Sequence, residues 1–315
     1  MKGFTSIILA CSAIGALTVG ATLRMAETTP EARNIPAIAT EEYGKRLLAQ
    51  TPELLGPDVA DPKMRYTESR LSCGSCHLGT GAEPGTLSLP DTIHHYPRFS
   101  ARVGLSTTIE DRVNECMQRS MNGRPLPKNS AEMLAMAAYI RSLGYQDAAA
   151  GANHPKAKEP PAFKTPNRAA NLKAGKKIIE EKCASCHQAD GSGLLAAALP
   201  IHGYVFPPLW GPDSFNTGAG MHRVLTSARF IKARMPLGKP DLTNDEAFDA
   251  AGYINSQPRP EMAHLDLDYP DRKTKPIDNG YGPFADPFPL EQHRFGPFAP
   301  IENFYKTKPI STSTR

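Results

Sequence analysis

Cysteine is scarce in this 315-residue chain, at six residues, so a disulfide-dense scaffold is excluded and the few positions it occupies become informative. Beyond the N-terminus there is no long apolar run. With 40% hydrophobic residues and a mean hydropathy of −0.39, a multi-pass membrane protein is excluded. Neither charge sign dominates: the formal net charge of +4 suits an anionic partner but is too weak to argue for nucleic acid, and none is expected as a partner. No strand-period alternation of any length is present, so a mostly α fold with much irregular loop is expected. What is abundant is proline, 30 of 315 residues, against an average usage of about 5%.

The N-terminus opens on Lys2 and an uncharged apolar stretch, Phe4–Leu23, with the small residues Val19-Gly20-Ala21 where a signal peptidase cuts. Residues 1–26 therefore read as an export signal, and the expected compartment is the periplasm. The alternative is an uncleaved anchor, the one route by which a membrane would be a partner. Cys11 lies inside this stretch and takes no part in site chemistry; a lipoprotein cleavage there would leave too short an apolar core.

Four of the other five cysteines form Cys73-Gly74-Ser75-Cys76-His77 and Cys183-Ala184-Ser185-Cys186-His187. Each motif follows a helix-like run, Glu41–Thr51 and Ala169–Lys182. Each precedes another helix: Asn129–Leu143, with Asn129 as cap and Gly144 as stop, and Thr243–Ser256, with Thr243 as cap and Glu246 three residues on. The closing helices share Tyr139-Ile140-Arg141-Ser142 and Tyr253-Ile254-Asn255-Ser256, so the chain is an internal duplication. A first module over 27–147 and a second over 169–265 are joined by a Pro/Ala-rich linker, 148–168. Residues 266–315, dense in Pro, Gly, Phe and Tyr, are expected to pack on the core as an ordered extension, because repeated aromatics are unusual in a disordered tail.

Two thiols three positions apart add across the two vinyl groups of haem, and the next residue, histidine, is then held beneath the iron. A zinc site would need two close pairs converging, and a redox dithiol would not explain histidine at the same place twice. Two covalently bound c-type haems are expected, attached through Cys73 and Cys76 and through Cys183 and Cys186, with His77 and His187 as proximal iron ligands. For the second haem Met235, in Met235-Pro236-Leu237-Gly238 ahead of the closing helix, is the distal candidate, with Met221 as rival. For the first haem two candidates stand. Met121 precedes Tyr139 by the same interval as Met235 precedes Tyr253, and Cys116 is the one cysteine outside the export segment that attaches no haem. Position alone does not choose between them. A thiolate would be the stronger donor and would make the two haems unlike.

Thr107–Asn122 reads as a helix on which Arg112, Cys116 and Ser120 share one face. Arg119 and Arg124 are expected on a solvated face. Arg102 and Arg112 flank the cysteine and, with the Ser120 hydroxyl, suit a small oxyanion, since guanidinium matches paired oxygens. An anion pocket beside a thiolate points to redox chemistry on a sulfur oxyanion.

These residues carry a resemblance. Tyr43–Leu48, Leu71–Leu78, Arg112–Pro127, Glu132–Ser142, Leu209–Asn216, the Met235-Pro236-Leu237 loop and the tail together resemble the dihaem thiosulfate dehydrogenases and, more distantly, the SoxA-type sulfur-oxidation cytochromes. The resemblance implies two class I cytochrome c-like domains in tandem and an enzyme joining two thiosulfates into tetrathionate. It implies Cys116 as distal ligand of the first haem, Arg102, Arg112 and Ser120 lining its substrate pocket, and Met235 as distal ligand of the second. The implied partners are thiosulfate, tetrathionate and a small periplasmic electron carrier such as a cytochrome c. The competing functions are a dihaem electron-transfer cytochrome without substrate chemistry and a SoxA-like sulfur-carrier cytochrome. The sequence does not set the direction of the reaction, which could also run as a tetrathionate reductase.

Overall fold

The computed structural model describes residues 39–85, 87–150, 162–196 and 203–307. The apolar N-terminal stretch and Cys11, with the expectations placed on them, lie outside these residues. The helices in order are α1 (Glu41–Ala49), α2 (Thr51–Leu54), α3 (Ile109–Arg119), α4 (Ala131–Ala150), α5 (Leu172–Ile178), α6 (Ala184–His187), α7 (Val224–Arg234), α8 (Asn244–Ser256), α9 (Leu290–Phe295) and α10 (Ala299–Thr307). None of the described helices is long and apolar enough to cross a membrane. The fold is mostly helical, as expected, and its only strands among the described residues are two short antiparallel hairpins, β1 (Arg98–Ser100) with β2 (Leu105–Thr107) and β3 (Leu194–Leu195) with β4 (Tyr204–Phe206). Strands of two or three residues are too short to show a period in sequence.

Both modules are built on one helix crossing. In the first, α1 lies across α4, and a Cβ on Gly44 would stand 2.0 Å from the Ala135 carbonyl oxygen and 2.8 Å from the Tyr139 Cβ. In the second, α5 lies across α8, and a Cβ on Gly175 would stand 2.1 Å from the Asp249 oxygen and 2.8 Å from the Tyr253 Cβ. Only glycine permits helix backbones this close. The matched tyrosines are thus matched in space, each packed against the glycine of the partner helix.

The helix ends follow the capping chemistry, with two corrections. Thr243 caps α8, accepting from the Glu246 N–H at 3.1 Å while the Glu246 carboxylate accepts from the Thr243 N–H at 2.8 Å. Thr108 and Asp111 close the same reciprocal box on α3. On α4, however, the N-terminal cap is Ser130, whose hydroxyl accepts from the Met133 N–H at 3.2 Å, and not Asn129. Gly144 does not end α4, which runs on to Ala150. A glycine stop needs the left-handed conformation, and Gly144 does not adopt it.

Each module has its own core. Leu47, Leu48, Met117, Met133 and Ala137 are buried in the first; Ile179, Val224, Leu242, Phe248 and Ala251 are buried in the second. The C-terminal segment contributes to the second core through Phe298 and Ile301, which are 1% and 0% exposed. Full burial of side chains of this size contributes about 1.5–3 kcal/mol each, so this part of the chain is integral to the module. Arg168, at the end of the linker, joins the buried Asp249 of α8 at 2.6 Å.

Candidate active site

The first Cys-x-x-Cys-His segment is a tight turn, Cys73–Ser75, held by the Ser72 N–H donating to the Ser75 hydroxyl at 3.1 Å. Thr51 meets it from α2: the Cys73 N–H donates to the Thr51 hydroxyl at 3.3 Å. The His77 Nδ1 lies 2.6 Å from the Leu87 carbonyl oxygen. A carbonyl only accepts, so Nδ1 donates to it and Nε2 is the nitrogen left for the cavity. His187 repeats this, with Nδ1 2.7 Å from the Pro207 carbonyl oxygen.

Both thiols and the imidazole of each motif line a cavity, of about 300 Å³ in the first module and about 210 Å³ in the second. Among the described residues no group of three or more His, Cys, Asp or Glu side chains is arranged to hold a bare metal ion, and the five described cysteines are all free thiols. Two thiols, one imidazole and apolar wall residues such as Leu48, Ile109 and Ile140 fit a thioether-linked haem.

The structure brings the predicted residues of the first site together. Arg102, from the β1–β2 turn, Arg112 and Cys116, from α3, and Ser120, which caps the C-terminus of α3, line the same cavity as Cys73, Cys76 and His77. Met121 is also in its wall, 3% exposed. Cys116 and His77 line the same cavity, and the His77 ring acts on the Cys116 thiol. Burial alone pushes the Cys116 thiol up, but the Arg112 guanidinium and the His77 ring together outweigh it and bring the thiol down to about 7 from the ordinary 9.0. Burial without such a neighbour pushes Cys73 and Cys76 up, to about 11 and about 12. Arg112, whose charge is reinforced first by Cys116, also pairs with Glu115 at 3.0 Å. Its side chain is 41% exposed, and that surface borders the cavity.

In the second module Met235 lines the cavity with Cys183, Cys186 and His187, at the end of α7. Met221, the rival for this position, lines the first cavity instead. Arg119 corrects the solvated reading: it is 8% exposed, ion-paired to Asp268 at 2.8 Å, and donates to the Gly218 carbonyl at 3.2 Å. Arg124 does face solvent, donating to the carbonyls of Lys63 and Arg65.

Several residues of the first site come from the second module and were not singled out as site residues. Phe215, Gly220, Met221 and Thr226 close the first cavity, and Ser72, Gly74, Ser75 and Leu78 of the first motif wall the second. Leu87, whose carbonyl sets the His77 tautomer, carries no side-chain signal for that role. In the second module the carbonyl belongs to a proline in Pro207-Pro208, a visible marker without a counterpart at Leu87.

Comparison with known proteins agrees with this geometry. Residues 63–146 match the family described as SoxA/TsdA, cytochrome c domain, and residues 170–254 match cytochrome C oxidase, cbb3-type, subunit III. The thiosulfate dehydrogenase of Allochromatium vinosum is 39% identical over 246 residues, covering 75% of this chain and 85% of that protein. The thiosulfate dehydrogenase of Stutzerimonas stutzeri is 37% identical over 237 residues, covering 75% of this chain and 74% of that one. Among solved structures, thiosulfate dehydrogenase (TsdBA) from Marichromatium purpuratum, in its as-isolated form, superposes with a TM-score of 0.60 at 32% identity. That match covers 71% of this chain and 47% of the other, so the chain spans about half the length of the Marichromatium protein. With two cytochrome c domains, one of the SoxA/TsdA type, and this identity over three quarters of its length, the chain belongs to the thiosulfate dehydrogenase family.

Proposed function

We propose that this chain couples two thiosulfates into tetrathionate in the first cavity and passes two electrons to a small acceptor. The observation that carries the reading is Cys116, sharing a cavity with His77 and flanked by Arg112, with Arg102 and Ser120 in the same wall. The balance is 2 S₂O₃²⁻ → S₄O₆²⁻ + 2 e⁻, with one sulfur–sulfur bond formed and no proton exchanged. Each bound haem supplies a one-electron acceptor, so a covalently attached pair, at Cys73/Cys76/His77 and Cys183/Cys186/His187, matches the two electrons released.

The residues around the cavity answer the main obstacle, which is repulsion. Two like unit charges 4 Å apart repel by about 4 kcal/mol at the effective dielectric near a protein surface, and two dianions by four times that. One cation does not offset such a term. Arg102 and Arg112 supply two guanidinium forks, and the Ser120 hydroxyl donates to an oxygen between them. Cys116 is assigned as the distal group of the first site and Met235 as that of the second; a thiolate is the stronger donor and a thioether the weaker. The two cavities share Ser72, which supports a short passage for electrons from one site to the other. The acceptor is a small redox protein of the periplasm such as a cytochrome c, reached because residues 1–26 act as an export signal.

The test is Cys116→Gly in the haem-loaded protein. Thiosulfate-dependent reduction of an artificial acceptor is lost while both haems stay attached; retained activity would sink the assignment. Met121→Ala changes little, and loss of the first haem's distal ligand in that variant would give the role to the thioether instead.

A further inference from the structure

Three guanidinium groups line the first cavity, and they are not equivalent. Arg112 is paired with Glu115. Arg119 is paired with Asp268 at 2.8 Å, with the two side chains only 10% and 9% exposed. Arg102 makes no ion pair among the described residues. Its Nη1 donates to the Gly218 carbonyl at 3.1 Å, and its guanidinium lies 5.7 Å from the centre of the Tyr269 ring.

The Gly218 carbonyl oxygen is therefore shared, since Arg119 Nη1 donates to it as well, at 3.2 Å. Two uncompensated guanidinium groups on one acceptor repel each other, the more so away from water. The arrangement holds because Asp268 neutralises one of them. Asp268 is itself fixed: its second carboxylate oxygen accepts from the Tyr281 hydroxyl at 2.6 Å. Tyr269, the next residue, donates its N–H to the Arg102 carbonyl at 2.7 Å and so ties this segment to the turn that carries Arg102. Gly218 is fixed from the other side. Its N–H donates to Asn216 Oδ1 at 3.0 Å, and Asn216 Nδ2 donates to the Gln118 carbonyl of α3 at 2.8 Å.

From this geometry we infer that Asp268 is a positioning residue of the thiosulfate site. It neutralises Arg119 and thereby keeps Arg102 seated on the Gly218 carbonyl as the unpaired cation of the cavity. Asp268 touches no substrate in this role; it acts through Arg119 and Arg102. The role depends on thiosulfate binding in the first cavity, so the experiment contains an arm that tests that binding alone.

The measurements use the full haem-loaded chain with a small electron acceptor. They are KM and kcat for thiosulfate, the Kd of thiosulfate on the fully reduced protein by equilibrium dialysis, and the Tm. Asp268→Asn raises KM and Kd about tenfold, the scale of one charge-assisted hydrogen bond, with kcat within about twofold of the parent. Adding Arg119→Gln to Asp268→Asn removes the liberated cation and recovers most of the lost affinity, a coupling that a double-mutant cycle isolates. Tyr281→Phe keeps both charges and gives a rise of about two- to threefold; it carries the test if Asp268→Asn fails to fold. An unchanged or lowered KM in Asp268→Asn overturns the role, as does a double variant no better than Asp268→Asn, which is what a purely structural strap would produce. Arg102→Gln separates the two levels. If it leaves KM and Kd untouched, the cavity is not the thiosulfate site; if it weakens binding while Asp268→Asn does not, only the role of Asp268 falls.

Discussion

The two modules agree at the Cys-x-x-Cys-His motif and differ in the rest of the cavity that the motif lines. Each crosses its first and last helices over a glycine, Gly44 against Ala135 and Gly175 against Asp249, and packs a tyrosine beside it. Each turns the Nδ1 of its motif histidine to a backbone carbonyl at about the same distance, 2.6 and 2.7 Å. On the opposite wall they part. The first cavity presents Cys116 with Arg102, Arg112 and Ser120, whereas the second presents Met235 among residues such as Leu209, Ile231, Ala250 and Ile254. A thiol brought down to about 7 by a guanidinium in one module stands against an uncharged thioether in the other. The two cavities share a haem motif, and the first adds to it a low-lying thiol and the guanidinium groups on which the proposed substrate chemistry rests.

The comparison is broken most severely by making the first site like the second. Cys116→Met, with both haems attached, is expected to lower thiosulfate-dependent turnover by about 10³-fold or more, the scale of losing a residue that acts at the reacting centre. It should also raise the first haem's potential, read by spectroelectrochemical titration. Met235→Ala tests the other half. The second haem's potential falls and steady-state turnover drops by about tenfold, while the KM for thiosulfate stays put because the first cavity is untouched.

The shared scaffold is tested by Gly44→Ala and Gly175→Ala. Each places a Cβ within about 2 Å of a helix carbonyl and should cost about 1–3 kcal/mol of stability by thermal or denaturant unfolding, the usual range for overpacking. Similar costs confirm equivalent crossings; a large difference between the two would show that one module relaxes where the other does not.

The smallest effect is a pH dependence at the capping box of α8 in the second module. Hydrogen bonds from the Thr243 N–H and Lys182 bring Glu246 down to about 2 from the ordinary 4.5. A depressed carboxylate stabilises the fold above its unfolded value and loses that contribution as pH falls through the folded one. Glu246→Gln is therefore less stable than the parent at neutral pH, by no more than about 1 kcal/mol after solvent screening. The difference closes between pH 4.5 and about 2. Tm measured against pH for both proteins checks it.

Much of this was legible in the sequence because it is local. Cysteines three apart with a following histidine are a contiguous signal, and helical spacing alone places Arg112, Cys116 and Ser120 on one face. Thr243 with Glu246 declares a capping box within four residues. Local signals also misled. Asn129 and Ser130 are both good caps, and which one sits at the helix boundary depends on the chain's path into α4. Gly144 looks like a stop, but the helix continues through it because the backbone there keeps a negative φ.

The sequence by itself determined that there are two cytochrome c modules, each with a Cys-x-x-Cys-His motif, and named the candidates for the haem-facing positions, since these rest on contiguous motifs and on intervals repeated between the two copies. Only the tertiary structure decided that Arg119 is buried on Asp268, that Met221 belongs to the first cavity, and that each module closes the other's site. The physical reason is chain separation. The Arg119–Asp268 contact joins residues 149 positions apart, and no spacing rule reaches that far. Such contacts follow from how the C-terminal segment packs against the first module, and it is there that Arg119 acquires its carboxylate partner while Arg102 does not.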